Sequence, residues 1–277
     1  MRSMRSPGST SIAALPAAGA AFLFGARQTL AAWPILIGRG IFYLVCMAVL
    51  SALWDKVSAQ RLAHTLATSL PSGGLTLYVG ATEWITLSVV SIHLRLEDDI
   101  RSGALEPHLL RPKHYLVQKV FESFGGMMVR LGAIGLAALL ALFLSQRASP
   151  PLWAYGYLGV LGVLGCALGV LLFTLAGLCA FWIRRVLPPY LIVQKLMFIF
   201  GGLFAPISLY PGWLFGFAKL TPFAAHIFYP SLQMIAPSSG AFLEGLTLQL
   251  FWLAALAALV ALVWRAGIRR VLREGVI

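Results

Sequence analysis

Residues 155–181 read YGYLGVLGVLGCALGVLLFTLAGLCAF, and not one of them is charged. A helix needs about 20 consecutive apolar residues to cross a hydrocarbon core of about 30 Å, and this stretch exceeds that length. Working outward, five further apolar blocks of similar length occupy residues 34–54, 74–94, 124–144, 190–209 and 244–264. Only short connections and a leading segment, 1–33, remain. The predicted fold class is therefore all-α: one polytopic membrane domain over residues 1–277 with about six transmembrane helices. Residues 1–33 are expected to form a cytoplasmic tail and an interfacial helix. A cleaved secretory signal fits less well, because Pro16 and Gly19 interrupt the small-residue run that follows Arg2 and Arg5.

Composition agrees. The chain is 60% hydrophobic and 11% charged, with a mean hydropathy of +0.86. A soluble domain carries about twice that share of charge. The net charge of +12 would point to nucleic acid in a soluble protein. Here the basic residues sit singly or in small groups at the ends of apolar blocks, where orientation signals and head-group contacts belong. With both termini placed in the cytoplasm, 14 Lys and Arg fall on inner segments and four on outer ones. That bias predicts cytoplasmic termini.

Catalytic and metal chemistry find no support. Cys46, Cys166 and Cys179 lie inside apolar blocks without ligand spacing. The five histidines form no metal pattern, and His93 reads as an interfacial residue. Neither H-E-x-x-H nor G-x-S-x-G occurs. No G-x-x-x-x-G-K-[ST] phosphate loop is present either, so no nucleotide site is expected in this chain.

Two connections stand out. The first, residues 95–122, opens with Arg95-Leu96-Glu97-Asp98-Asp99-Ile100-Arg101-Ser102-Gly103. Its carboxylates suit the start of a short helix, Gly103 permits a turn, and Arg111-Pro112 restricts the chain before the next span. These residues would suit a short helix parallel to the membrane, with a solvated loop as the plainer reading. The second connection, residues 205–240, holds Pro206, Pro211, Pro222, Pro230 and Pro237, with Tyr210, Trp213, Phe223 and Tyr229 among them. The prolines limit helices to two or three turns, and the aromatic residues favour the membrane boundary.

Ile100-Arg101-Ser102-Gly103-Ala104-Leu105, followed by Leu109-Leu110-Arg111-Pro112, resembles the cytoplasmic loop of type-2 ABC exporter permeases. More narrowly, it is similar to the six-span bacterial permeases that work with a separate ATPase. Tyr210-Pro211-Gly212-Trp213, Thr221-Pro222-Phe223 and Tyr229-Pro230 resemble the outer segment of the same permeases. Lys113-His114 departs from the small or apolar pair expected there. The resemblance implies an inner (plasma) membrane subunit that pairs with a second permease, identical or paralogous, above an ATPase dimer. ATP and Mg would be bound by the ATPase, and this chain would bind no cofactor. Glu97, Asp98, Asp99, Arg101, Gly103, Arg111 and Pro112 would form the ATPase-coupling loop. Tyr210, Pro211, Trp213, Pro222 and Tyr229 are candidates for an extracellular gate, with capping of the bundle as the structural alternative. The expected function is outward movement of an amphiphilic or hydrophobic compound.

Glu83 sits about 14 Å into the second block at 1.5 Å per residue, and a charge at such depth costs about 2.5–3.5 kcal/mol. It must face protein or water, as a structural contact or as part of a substrate path. Arg130 is its leading candidate partner and, with Glu83, a candidate for the substrate path, although Arg39, Arg130 and Lys195 also lie close enough to the inner boundary to snorkel. Gly165 and Gly169 stand in G-x-x-x-G spacing, which suits close helix packing within the chain or between subunits. An ATPase-independent secondary transporter or channel, with Glu83 as its coupling acid, is the alternative function. A lipid-directed membrane enzyme lacks a recognisable constellation.

Overall fold

The structure, a computed structural model, describes residues 10–59, 73–105, 115–145 and 150–274. No strand occurs among them. The long helices are α1 (Thr10–Ala31), α2 (Trp33–Ala59), α3 (Gly74–Ser88), α5 (Tyr115–Ser145), α6 (Leu152–Leu178), α7 (Leu187–Phe200) and α10 (Ser239–Glu274). Between them lie the short helices α4 (Ile92–Arg101), α8 (Gly212–Ala218) and α9 (Tyr229–Leu232), and a π-helical turn at Ala224–Phe228. Among the described residues, five stretches are long and apolar enough to cross a membrane: Trp33–Trp54, Gly74–Arg101, Tyr115–Ser145, Leu152–Phe181 and Ser239–Arg273. Leu187–Phe200 is a shorter apolar helix. The protein is an all-α polytopic membrane protein.

Helix α6 is the centre of the bundle, and its glycines explain how. A Cβ on Gly162 would strike the Trp84 ring, and one on Gly165 would strike the His226 carbonyl. At Gly169 it would meet both the His226 ring and Val89, and at Gly177 the His93 backbone and Leu96. Elements α3, α4 and the π-turn therefore seat directly on α6, where small residues let backbones approach without a hydrophobic driving force. These glycines serve packing within the chain. The outward faces of α2, α5 and α10 stay apolar and exposed, as at Phe42, Phe143 and Leu262, which suits contact with lipid tails.

The leading segment is helical and crosses α5 at backbone contact. A Cβ on Gly25 would overlap the Glu122 carbonyl oxygen, one on Gly125 would overlap that of Phe22, and one on Gly126 would crowd the Thr29 hydroxyl.

Two blocks end as helices before their expected inner or outer limits, while the third and sixth run longer. The second, expected over 74–94, stops at Ser88, and the chain passes through extended Val89 into α4. Neither Pro nor Gly marks the break. It is held by guanidinium groups from neighbouring helices instead: Arg39 Nη1 donates to the Leu87 carbonyl at 3.1 Å and Arg130 Nη1 to the Val89 carbonyl at 2.9 Å. The fifth, expected over 190–209, ends as a helix at Phe200, where Gly201 and Gly202 follow and Gly202 adopts φ +68°. At 14 residues α7 spans only about 21 Å, short of the hydrocarbon core. Irregular backbone at that depth must be paired within protein. It is: the Tyr78 hydroxyl donates to Gly202 O at 2.7 Å and the Thr82 hydroxyl to Leu203 O at 2.9 Å.

Candidate functional site

The short helix α4 has two faces. Ile92, His93, Leu96 and Ile100 are buried, and they fall on one side at helical spacing. The His93 ring stacks on Tyr190 of α7, with centroids 4.0 Å apart, and meets Phe173 of α6 edge-on. His93 is thus a buried anchor rather than the interfacial residue read from the sequence, and its backbone, with Leu96, seats against Gly177. On the opposite side, Leu94 is 50% exposed, and Asp98 and Arg101 are exposed beside it.

The three consecutive acids divide by role. Glu97 pairs with Arg101 at 3.5 Å along the helix. Asp99 accepts from Lys119 Nζ at 2.9 Å and from the Tyr115 hydroxyl, both at the start of α5. Arg95 pairs with Glu122 at 2.6 Å, a second strap between α4 and α5. Such half-exposed pairs contribute modestly to stability, about 1 kcal/mol or less each, but they fix where α4 sits. Asp98 is the acid left pointing outward, with no ion pair among the described residues. Gly103, at φ +73°, turns the chain after α4, and Leu105 tucks back with its amide on Asp99 O at 3.2 Å. Arg111 and Pro112 lie outside the described residues.

Glu83 is half-buried on α3, which packs against α2. It forms no ion pair among the described residues. Arg130 points elsewhere, to the carbonyl that the α3 break exposes. Arg130, the leading candidate partner from the sequence, forms no ion pair with Glu83 among the described residues.

The segment between α7 and α10 is a chain of short pieces packed back into the bundle. Pro211 precedes α8, and Trp213 is 77% exposed at its first turn. The Tyr210 hydroxyl donates to Ile199 O at 2.8 Å, tying the segment to the end of α7. Pro222 opens the turn that leads into the π-helix, and the Tyr229 hydroxyl donates to Glu244 Oε1 of α10 at 2.9 Å. Deeper in, His226 is fully buried with Nδ1 2.7 Å from Gly165 O, and Gln249 Nε2 donates to both Leu161 O and Ala225 O at 2.8 Å. The π-turn is therefore pinned between α6 and α10.

Sequence reasoning missed this polar inner lattice of Tyr78, Thr82, His226 and Gln249. The available signal was the polar residue itself inside an apolar block, which in a membrane marks a partner to be found. Tyr78 and Thr82 answer carbonyls released where α7 ends, Gln249 answers one in the π-turn and one on α6, and His226 joins the π-turn to α6.

The second apolar block breaks ahead of a short amphipathic helix, and a run of short helices packs into the bundle before α10. Residues 75–275, from α3 through α10, match the family described as ABC-2 family transporter protein. No curated protein and no solved structure matches the chain. With the match running through both the broken block and the short helices before α10, the chain belongs to the ABC-2 transporter family and is a membrane transport permease.

Proposed function

We propose that the chain is the membrane half of an ATP-driven exporter, working as a homodimer or with a paralogous permease above a separate ATPase dimer that binds ATP and Mg. The end of the bundle carrying α4 faces the cytoplasm of a bacterial cell, and both termini lie there. The observation that carries this reading is the two-faced α4. Its buried side is locked to α5, α6 and α7, while Leu94, Asp98 and Arg101 form a small outward surface with one apolar and two charged anchors. A rigid strap with such a face can transmit a push from a docked partner to α3 through Val89 and to α6 through His93. Closure of the ATPase dimer would then shift access from one membrane face to the other, with the Tyr210–Pro211–Trp213, Pro222 and Tyr229 segment as the outer gate.

The test is co-purification from native membranes. An ATPase is expected to accompany the wild-type chain, and Leu94→Glu with Asp98→Arg to lower its retention about tenfold, equivalent to about 1.4 kcal/mol, without changing the unfolding midpoint. Asp99→Asn, which keeps an acceptor for Tyr115, tests the strap rather than the docking surface and should retain more ATPase than the double variant. A chain that brings no ATPase with it, or retains it equally well in the double variant, would end the reading.

Glu83 supplies a separate prediction on substrate charge. Its carboxylate has no cation beside it among the described residues, so it is the natural contact for a cationic group in transit. Glu83→Gln is expected to lower export of cationic amphiphiles several-fold more than that of neutral ones of equal size. Equal export of both by the variant would make the residue structural.

A further inference from the structure

A cavity of about 750 Å³ opens between α2, α3, α5 and α6, in the half of the bundle away from α4. That volume lies within the range of about 300–1,000 Å³ typical of ligand pockets. Its walls are aliphatic and aromatic, and among the described residues none that lines it is charged. The floor is Trp84, fixed by its indole donating to Leu131 O at 2.9 Å. We propose that this cleft is a binding site for one lipid acyl chain, whose ester carbonyl accepts a hydrogen bond from Tyr155.

Length and depth argue for a single chain from one leaflet. From Thr76 near the mouth to Trp84 at the floor, α3 runs about 12 Å at 1.5 Å per residue, and from Ser145 to Leu131 α5 runs about 21 Å. Half of a hydrocarbon core is about 15 Å, so the cleft reaches from the head-group boundary to the bilayer midplane. Tyr155 lies one turn inside the start of α6, at the end of the cleft away from α4.

The hydroxyls on the wall identify the polar requirement. Tyr43 donates to Gly80 O, Ser51 to Ala48 O and Ser145 to Leu142 O. The Tyr155 hydroxyl is buried and has no partner among the described residues. A buried donor left unmade costs about 1–3 kcal/mol, and a carbonyl at that position recovers it. An ammonium or phosphate finds no counter-charge here; the head group stays in the interface and only chain and ester enter.

Two glycines make the site testable. A Cβ at Gly132 or Gly159 meets nothing within 4 Å, and both line the cavity. Larger side chains there fill the cleft without pressing on the backbone. Gly156, equally unobstructed, lies outside it and serves as the control.

The experiment uses the full chain in nanodiscs of phosphatidylethanolamine and phosphatidylglycerol. These carry a trace of a diester phospholipid with a diazirine midway along one acyl chain. After irradiation, adducts on Met47 and Leu142 in the cleft are expected to exceed those on the exposed α10 residues Phe251 and Leu259 by roughly five-fold or more, a preference of about 1 kcal/mol. Gly132→Leu and Gly159→Leu should bring cleft adducts down to the α10 level, and Gly156→Leu should leave them unchanged. Tyr155→Phe should lower labelling by the ester probe several-fold and leave labelling by its ether-linked analogue as in wild type. Uniform adducts in the wild-type protein, or undiminished cleft adducts in the filled variants, would overturn the site. Should the filled variants fail to fold, the wild-type distribution decides alone. Equal labelling of Tyr155→Phe and wild type by the ester probe would overturn the carbonyl contact. No ATPase or nucleotide enters the measurement, so its failure leaves the exporter reading standing, and the failure of that reading leaves this one.

Discussion

Gly125→Leu is expected to detach α1 from α5 and to lower the unfolding midpoint by roughly 6–12 °C, the shift that about 3 kcal/mol produces in a chain of comparable size. The magnitude follows from what a side chain would meet. A Cβ at Gly125 overlaps the Phe22 carbonyl oxygen and comes within 2.9 Å of the Ala26 amide nitrogen, both backbone atoms of a helix that cannot yield locally. Ordinary overpacking costs about 1–3 kcal/mol because flexible side chains give way; here the whole of α1 must move. Gly25→Leu should match it, since its Cβ overlaps the Glu122 carbonyl oxygen on the other side of the same crossing. Gly132→Leu, on the same helix two turns further along, presses on nothing and should shift the midpoint by no more than about 2 °C. A Gly125→Leu protein that melts with the wild type would mean that α1 does not rest on α5 at all. The consequence extends beyond α1, because Glu122 at this crossing also holds Arg95 of α4. Loss of the crossing therefore loosens the strap on which the proposed ATPase docking depends.

Much of this architecture could be read from residue types alone. Uninterrupted apolar length announces α2, α5, α6 and α10, and the prolines between 205 and 240 announce the short pieces that precede α10. Even the shortening of α7 had a local signal in Gly201-Gly202, passed over because apolar residues continue on both sides. The break after Ser88 had none: Val89-Val90-Ser91 would continue a helix anywhere that no partner waited for its carbonyls. Its cause is tertiary, in two arginines brought from α2 and α5. For the same reason Arg130 could not be assigned from sequence. Its depth suited Glu83, whereas the acceptor it uses exists only once α3 has broken. The roles of Glu97, Asp98 and Asp99 were partly legible. Ile92, His93, Leu96 and Ile100 fall on one helical face and leave Asp98 on the other, but only if the helix begins at Ile92, within what hydropathy had counted as a span.

Arg130→Met is the decisive test of that break, and its expected result is a local one. The Met side chain keeps the apolar stem and removes the guanidinium, leaving Val89 O without its charged donor. Hydrogen bonds to charged groups contribute about 1.5–3 kcal/mol, and the last carbonyls of a helix also carry the negative end of its dipole. A loss of about 2 kcal/mol corresponds to roughly thirty-fold faster opening. Amide exchange should therefore rise by that factor from Ile92 to Leu96, while amides in the centre of α6, such as that of Leu168, keep their wild-type rates. Arg130→Lys restores one donor and the charge, and should recover part of the protection. In the proposed exporter the variant keeps its outward face and still binds the ATPase, yet transmits less of the movement to α3, so ATP turnover continues with less transport. Unchanged exchange at Ile92–Leu96 would say that the stacking of His93 on Tyr190 and the burial of Ile92, Leu96 and Ile100 hold α4 without help. The arginine would then serve the interior of the bundle rather than its joint.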